Sequence, residues 1–183
     1  GDRLGFPVFP TQWTNPETGE VSSGYRESGY ISGAVINMLA FLGWNPGTSQ
    51  EIFSMQELIE AFTLERVGKA GAKFDFDKTK WFNQQYLRAK SKEDLGKDLQ
   101  VILKENGVEA KNDFAQAVCQ QLKERATFIK DMWEEGKYYF VAPISYDEKT
   151  IRKKWGKDTP EFLSQLKSRL DGISDFSSIN IEK

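Results

Sequence analysis

Apolar residues recur at helical spacing along most of the chain, beginning near Tyr30. Ala34, Val35, Met38 and Leu39 lie three or four positions apart, which places their side chains on one face of an α-helix. The same spacing returns in three later segments: Leu95, Leu99, Ile102 and Leu103; Phe114, Ala117, Val118 and Leu122; and Phe162, Leu163, Leu166 and Leu170. The pattern predicts a mainly α-helical chain.

Capping residues mark where these helices begin and end. Ser54 and Glu57 have the spacing of a capping box. In this motif the serine oxygen accepts a hydrogen bond from the backbone amide three residues later, and the glutamate carboxylate accepts one from the backbone amide of the serine. Thr159 is predicted as a further cap, with Pro160 at the first helical position. Further starts are predicted at Asp77, Ser91, Asn112 and Asp147, and further ends at Gly43, Gly107, Gly136 and Gly172.

The two ends of the chain lack this periodicity. Residues 1–24 are rich in glycine and proline and predict irregular structure, with brief strands within Phe6–Phe9. Ser174–Lys183 is polar and reads as a frayed or truncated end. A break near Arg88–Lys92 suggests a boundary between helical regions. The predicted domains are residues 1–90 and 91–183.

Composition narrows the chemistry that the chain can perform. Hydrophobic residues make up 39% of the 183 residues, enough for a packed core, and the net charge is −2, which does not by itself point to nucleic acid. The chain has no histidine and one cysteine, Cys119, which excludes Ser-His-Asp and Cys-His nucleophiles, imidazole metal sites and an internal disulfide. We therefore expect no catalytic residue and no metal site, and we interpret Cys119 as a core residue. No apolar run is long enough to span a membrane, so we expect a cytoplasmic protein.

One stretch, from Lys69 to Arg88, interleaves basic and aromatic residues. Cations of this kind bind phosphates while rings stack on bases. Trp81 and Arg88 are seven positions apart and align on a helix, and we interpret Lys78 as lying outside that alignment. The pattern alone favours another interpretation, in which the aromatic residues form core and the lysines are solvated.

Arg125 is the second candidate for RNA contact. It lies three residues after Leu122 and seven after Val118, so it extends the predicted apolar face of its helix. A cation at such a position is informative, because a buried charge is costly unless it is paired. The simpler interpretation is an edge arginine whose stem packs while its head reaches water.

The block Gly24–Gly47, GYRESGYISGAVINMLAFLGWNPG, is not a generic helical sequence. It resembles the segment that follows the KMSKR loop in bacterial-type glutamyl-tRNA synthetases, where YRExGY leads to LALLGW. Further motifs follow in the same order, with FTLERV at Phe62–Val67 and KWFNQQY at Lys80–Tyr86. The opening GDRLGFPVFP resembles the form found in Bacteroidetes. One departure is Ser32-Gly33, where many members have Pro-Glu.

The resemblance, strong over residues 1–90 and weaker over 91–183, implies a stem-contact domain followed by a truncated α-helical anticodon-binding bundle. The HIGH motif needs histidine and the KMSKR lysines would precede Gly1, so we expect a non-catalytic fragment of a glutamate–tRNA ligase. ATP with magnesium, and glutamate, would serve only the parent enzyme, and the fragment would need no cofactor. The expected partner is glutamate tRNA, bound by a monomer.

The resemblance also assigns roles to single residues. On the matching KxxWxNxxYxR helix, Lys78, Trp81 and Arg88 would face the D-stem and inner elbow of the tRNA. Arg125 falls where discriminating members place an arginine that reads the last anticodon base. Cytosine offers the acceptors O2 and N3 to a guanidinium, whereas guanine presents its N1 and N2 donors and is rejected. Because glutamate anticodons end in C and glutamine anticodons in G, Arg125 would favour glutamate tRNA.

Two other interpretations remain open at this point. A helical protein-interaction module without an RNA partner is consistent with the net charge of −2. A glutaminyl-tRNA synthetase is disfavoured, because that family has a β-barrel anticodon region whereas residues 91–172 read as helices. The ordered series of motifs favours the glutamyl family.

Overall fold

The computed structural model describes residues 6–174, and these are mainly helical, as predicted. A two-stranded antiparallel ribbon comes first, formed by β1 (Trp13–Thr14) and β2 (Val21–Ser22). The helices are α1 (Ser32–Ala40), α2 (Met55–Ala61), α3 (Phe76–Ala89), α4 (Lys92–Glu105), α5 (Asn112–Leu122), α6 (Ile129–Gly136), α7 (Glu148–Lys154) and α8 (Thr159–Asp171), with 3-10 turns at Leu64–Arg66 and Lys137–Tyr139. The brief strands expected within Phe6–Phe9 are wrong, because Phe9 forms only an isolated bridge with Gly24.

The first helices contribute to two small apolar clusters, and one of these includes α3. Ala34 and Met38 of α1 are buried against Phe82 of α3. Trp44 and Phe53, from the segment between α1 and α2, are buried with Leu58 of α2. The helix α1 ends at Ala40, three residues before the predicted end at Gly43. Gly43 has φ +126°, a backbone conformation that favours glycine.

Three of the six predicted N-caps are confirmed. Three are wrong by position, among them Thr159, which is the first residue of α8 and follows the N-cap Asp158. Ser54 and Glu57 form the complete capping box, Ser91 accepts the Asp94 amide, and Asp147 accepts the Thr150 amide. Asp75 rather than Asp77 caps α3, accepting the Lys78 amide, so that helix begins two residues earlier than expected. Asn112 is the first residue of α5 rather than its N-cap. The N-cap is the preceding residue, Lys111, which has an extended backbone conformation.

The main core lies among α3, α4, α5 and α6. Leu95, Leu99 and Leu103 of α4 are completely buried, as the spacing predicts. The predicted face of α5 is partly wrong, because Phe114 is exposed and Ala117 faces solvent. The buried residues of α5 are Ala115, Val118, Cys119 and Leu122. The helix is therefore rotated slightly from the predicted face, and Cys119 takes its place in the core as expected.

Contacts divide the chain between Val141 and Ala142 into two compact units. The predicted boundary near Arg88–Lys92 coincides with the short link between α3 and α4, inside the first unit. Within the second unit no residue of α7 or α8 is fully buried, so the predicted apolar face of α8 is exposed, although that helix does stop before Gly172. The predicted frayed end from Ser174 lies almost wholly outside the described residues. Among residues 6–174, no helix has the length and apolar character to cross a membrane.

Candidate RNA-binding surface

Three of the predicted contact residues form a strip along α3, which we call the α3 strip (Lys78, Trp81 and Arg88). At about 100° per residue, positions i, i+3 and i+10 fall within an arc of about 80°. The expectation that Lys78 lies outside the alignment of Trp81 and Arg88 is therefore wrong. All three side chains are partly exposed, beside the face that buries Thr79, Phe82 and Asn83.

Lys78 is held in place by neighbouring side chains. Its ammonium forms an ion pair with Glu51, and both side chains are 42% exposed. The same nitrogen lies 5.9 Å from the centre of the Phe41 ring and 5.8 Å from that of Phe82, within cation–π range. A phosphate that binds Lys78 must therefore compete with the Glu51 carboxylate.

Trp81 and Arg88 are also engaged with protein. The indole of Trp81 packs edge-on to Phe82, with 5.1 Å between ring centres, and leaves only part of its ring for contact with RNA. The Nε of Arg88 lies 3.2 Å from a carboxylate oxygen of Glu124, and its Nη2 donates to the Glu124 carbonyl. Arg88 therefore links α3 to the segment that follows α5.

Arg125 does not extend the buried face of α5, contrary to the sequence-based expectation. The helix ends at Leu122, and Arg125 lies in the turn between α5 and α6, residues 123–128, which we call the Arg125 turn. Its side chain is 64% exposed, and its Nε lies 3.9 Å from a carboxylate oxygen of Glu135. Ala126 takes the buried position instead. The guanidinium is thus presented to solvent with one long ion pair.

Asn83 is a functional candidate that the sequence analysis missed. It is completely buried on α3, although it is polar. Its Oδ1 accepts the Ile31 amide at 2.8 Å, and its Nδ2 donates to the Thr127 carbonyl at 2.6 Å. The available signal was its spacing: Asn83 precedes the buried Leu87 by four residues and so had to lie on the core face.

The remaining polar chemistry of the described residues is structural. Burial raises the pKa of the Cys119 thiol to about 11, with a smaller contribution from the charge of Asp98, so the thiol is protonated at neutral pH and is a poor nucleophile. Among residues 6–174, no group of three histidine, cysteine, aspartate or glutamate side chains is placed to hold a metal ion. The candidates for RNA contact are therefore the exposed cations of this mainly helical protein.

Comparison with protein families agrees with this arrangement. A model described as the anticodon binding domain matches residues 81–183, and a model described as the catalytic domain of class I tRNA synthetases (E and Q) matches residues 17–81. Because the first match covers more than half of the chain, the chain belongs to the anticodon-binding domain family. The second match falls within the region that we interpret as the stem-contact domain.

The chain is similar to glutamate–tRNA ligases. The chain is 56% identical over 182 residues to a glutamate–tRNA ligase of Phocaeicola vulgatus and 51% identical over 183 residues to one of Bacteroides fragilis, spanning all of this chain and 36% of each relative. It is also similar to the crystal structure of a glutamate tRNA ligase from Elizabethkingia meningosepticum in complex with its amino acid. That similarity has a TM-score of 0.93 and 45% identity, and it covers all of this chain and 36% of that one. The chain thus spans about a third of the length of the relatives it matches.

Proposed function

We propose that this chain is the tRNA-binding and anticodon-reading part of a glutamate–tRNA ligase. The complete enzyme would attach glutamate to its tRNA with ATP and magnesium, and this part would supply recognition without a cofactor of its own. We further propose that it acts as a monomer in the cytoplasm. The match of residues 81–183 to the anticodon-binding domain is the observation that carries the proposal, and the exposed cation of Arg125 provides a chemical means.

Arg125 is the proposed reader of the last anticodon base. Its guanidinium offers only donors, which suit the O2 and N3 acceptors of cytosine and oppose the N1 and N2 donors of guanine. The Nε is 3.9 Å from Glu135 in the free chain, a separation beyond hydrogen-bonding distance. The anticodon base can therefore bind the Arg125 guanidinium without first breaking a strong hydrogen bond.

The α3 strip is the proposed contact with the tRNA stem, within a stem-contact domain of residues 1–90 that precedes an anticodon-binding domain of residues 91–183. Lys78 supplies a cation for a phosphate, and the exposed part of Trp81 can lie against a ribose or a base. Arg88 has a side chain that is 32% exposed and is already bound to Glu124. We therefore assign it a weaker phosphate contact than Lys78 and a structural role in addition.

The test measures binding of this chain to glutamate tRNA and to the same tRNA with G in place of the last anticodon C. We expect Arg125→Ala to weaken binding of the natural tRNA by about tenfold or more and to reduce discrimination, because a good bidentate contact is worth about 1–3 kcal/mol. Lys104→Ala is the matched control, since Lys104 is an exposed cation on α4 outside the proposed surface.

A salt series separates the proposal from the protein-interaction alternative. Phosphate contacts predict that the logarithm of the affinity falls linearly with the logarithm of the salt concentration. Equal affinity of Arg125→Ala and the unchanged chain for both tRNAs would overturn the assignment of Arg125. Failure to bind either tRNA at low salt would overturn the proposed function and favour a module that binds protein.

A further inference from the structure

One buried side chain, Asn83, bonds both to the Arg125 turn and to the first part of the chain. The Asn83 amide accepts a hydrogen bond from the backbone of Ile31, at the start of α1, and donates one to the backbone of Thr127. The two partners are far apart in sequence, and Asn83 itself is completely buried. A buried amide whose acceptor and donor are both used fixes two backbone segments relative to each other.

Other contacts hold the same turn and leave its backbone little freedom. The Asp131 carboxylate accepts the amides of Thr127 and Phe128 at 2.9 and 2.8 Å. The ring of Phe128 packs edge-on against Tyr30, with 4.9 Å between ring centres. The Glu124 carbonyl accepts from Arg88. On the side of the turn, each of these contacts is made by the backbone or by the ring of Phe128, and none by the Arg125 guanidinium.

The position of the Arg125 head therefore depends on the backbone that carries it. The side chain is 64% exposed and its one ion pair is long, so side-chain contacts do little to orient the fork. To discriminate cytosine from guanine, the guanidinium donors must stay at the positions where the acceptors of cytosine will lie. A mobile guanidinium could move away from the donors of guanine and would then reject it less strongly. A rigid turn supplies that constraint before the RNA arrives.

We propose that Asn83 is a positioning residue for anticodon reading: it holds the Arg125 turn in register with the start of α1, so that base discrimination depends on the junction between the two predicted domains. This inference rests on the proposed function, and it adds a residue that touches no RNA. Asparagine suits the position because it accepts from one backbone group and donates to another at the same time. Leucine can do neither, and an ionised aspartate can only accept.

The first arm of the test uses no RNA. Hydrogen exchange of Asn83→Leu should be faster by about fivefold or more at the amide of Ile31, which donates to Asn83, since a lost buried hydrogen bond is worth about 1 kcal/mol. The amide of Val108, which bonds to Leu103 in the core, should keep its protection and show that the fold is intact. Asn106→Asp is the matched control, because it removes the amide of an exposed asparagine on the far end of α4.

The second arm measures discrimination between the tRNAs that end in C and in G. We expect Asn83→Leu to reduce the ratio of the two affinities by about five- to tenfold. Asn83→Leu combined with Arg125→Ala should discriminate no worse than Arg125→Ala alone, because Asn83 acts only through Arg125. If Asn83 only stabilised the fold, Asn83→Leu would weaken the binding of both tRNAs equally and leave the ratio of the two affinities unchanged.

The pH dependence of tRNA discrimination by Asn83→Asp is an independent test of the proposal. It replaces the first two arms if Asn83→Leu does not fold. A protonated carboxyl can donate to the Thr127 carbonyl, whereas the ionised form repels it. Discrimination should therefore fall as the pH rises from about 5 to 9, with burial moving the transition upward, while the unchanged chain shows a smaller dependence.

The outcomes separate the two proposals. If Arg125→Ala retains full discrimination between the two tRNAs, the proposal that Arg125 reads the last anticodon base is overturned. If Arg125→Ala loses discrimination but a folded Asn83→Leu, with faster exchange at its Ile31 amide, keeps the full ratio, then the positioning role of Asn83 is overturned and the proposed function stands. Unchanged exchange at the Ile31 amide in Asn83→Leu would also overturn that role.

Discussion

Gly33 of α1 lies against the ring of Tyr86 of α3, and the two helices can approach this closely only because Gly33 has no side chain. A Cβ placed on Gly33 would lie 2.8 Å from Cε1 of Tyr86. The ring has little room to move, because its hydroxyl donates to the Phe53 carbonyl and lies 3.1 Å from Oδ1 of Asn37. In this chain the ring of Tyr86 thus occupies the space that a side chain at Gly33 would need.

Gly33→Ala should therefore destabilise the chain although alanine is the better helix former. The gain in helix propensity is at most about 1 kcal/mol, and overpacking a fixed ring costs about 1–3 kcal/mol. We expect a lower free energy of unfolding in urea, by about 1 kcal/mol. Gly71→Ala is the control, because a Cβ at Gly71 would meet nothing within 4 Å.

The partner variant identifies the cause. Tyr86→Leu removes the atoms that a Cβ at Gly33 would meet, so in that background Gly33→Ala should become neutral or slightly stabilising. The coupling in this double-mutant cycle should be about 1–2 kcal/mol. Equal effects of Gly33→Ala in both backgrounds would show that the ring of Tyr86 is not the obstacle.

Glu51→Gln should strengthen binding of tRNA if Lys78 contacts a phosphate. The Glu51 carboxylate pairs with the Lys78 ammonium, and its removal leaves that cation free and lowers the repulsion of RNA. We expect a two- to threefold gain in affinity at low salt and a salt slope steeper by up to about one. Glu93→Gln, a change of an exposed glutamate on α4, is the control for net charge.

The double variant separates a local effect from a general one. If the gain operates through Lys78, then Glu51→Gln combined with Lys78→Ala should bind like Lys78→Ala alone. A gain of the same size in both backgrounds, or in Glu93→Gln, would remove Lys78 from the proposed surface and leave a simple effect of charge.

Ser54→Ala tests an element that was predicted from the sequence. The serine oxygen accepts the Glu57 amide at 3.2 Å, and a Glu57 carboxylate oxygen accepts the Ser54 amide at 2.6 Å. Loss of an N-cap costs about 1 kcal/mol, so we expect a melting temperature lower by about 2–4 °C. Ser49→Ala, at an exposed position that caps no helix, should melt with the unchanged chain.

Local signals explain why so much of the helical frame could be predicted. The capping box at Ser54 and the buried stripe Leu95, Leu99 and Leu103 depend on residues a few positions apart, which the sequence displays directly. Three N-caps are predicted one or two residues too late in the chain. At α3, Asp75 and Asp77 both precede the apolar face, and the spacing does not show that Phe74 and Phe76, on either side of Asp75, both pack against Phe6.

The surface was predicted less well, because it depends on contacts between distant segments. Spacing identified Lys78 and Arg125 but did not reveal that Glu51 or Glu135 lies beside them. It placed Arg125 on a helical face, whereas α5 ends three residues earlier. Asn83 was passed over for the same reason, since both of its partners are backbone groups that only the fold brings within reach.

Alkaline pH should destabilise the chain through Cys119. The thiol is completely buried, and burial raises its pKa from the ordinary 9.0 to about 11. Between these values the unfolded chain has lost the thiol proton while the folded chain still holds it. The free energy of unfolding therefore falls as the pH rises from about 9 to 11, by up to about 3 kcal/mol for a shift of this size.

Cys119→Ala isolates this contribution from that of the tyrosines. Burial also raises the pKa of Tyr30, to about 12, and this destabilises in the same direction but at higher pH. Urea unfolding at pH 8, 9, 10 and 11 should therefore show a smaller loss in Cys119→Ala than in the unchanged chain, with the difference largest between pH 9 and 11. The variant itself lowers stability at pH 8 by removing a buried sulfur, so the slopes are compared and not the absolute values. Parallel slopes would show that the thiol ionises equally readily in the folded and unfolded chains, which would contradict its burial between α4 and α5.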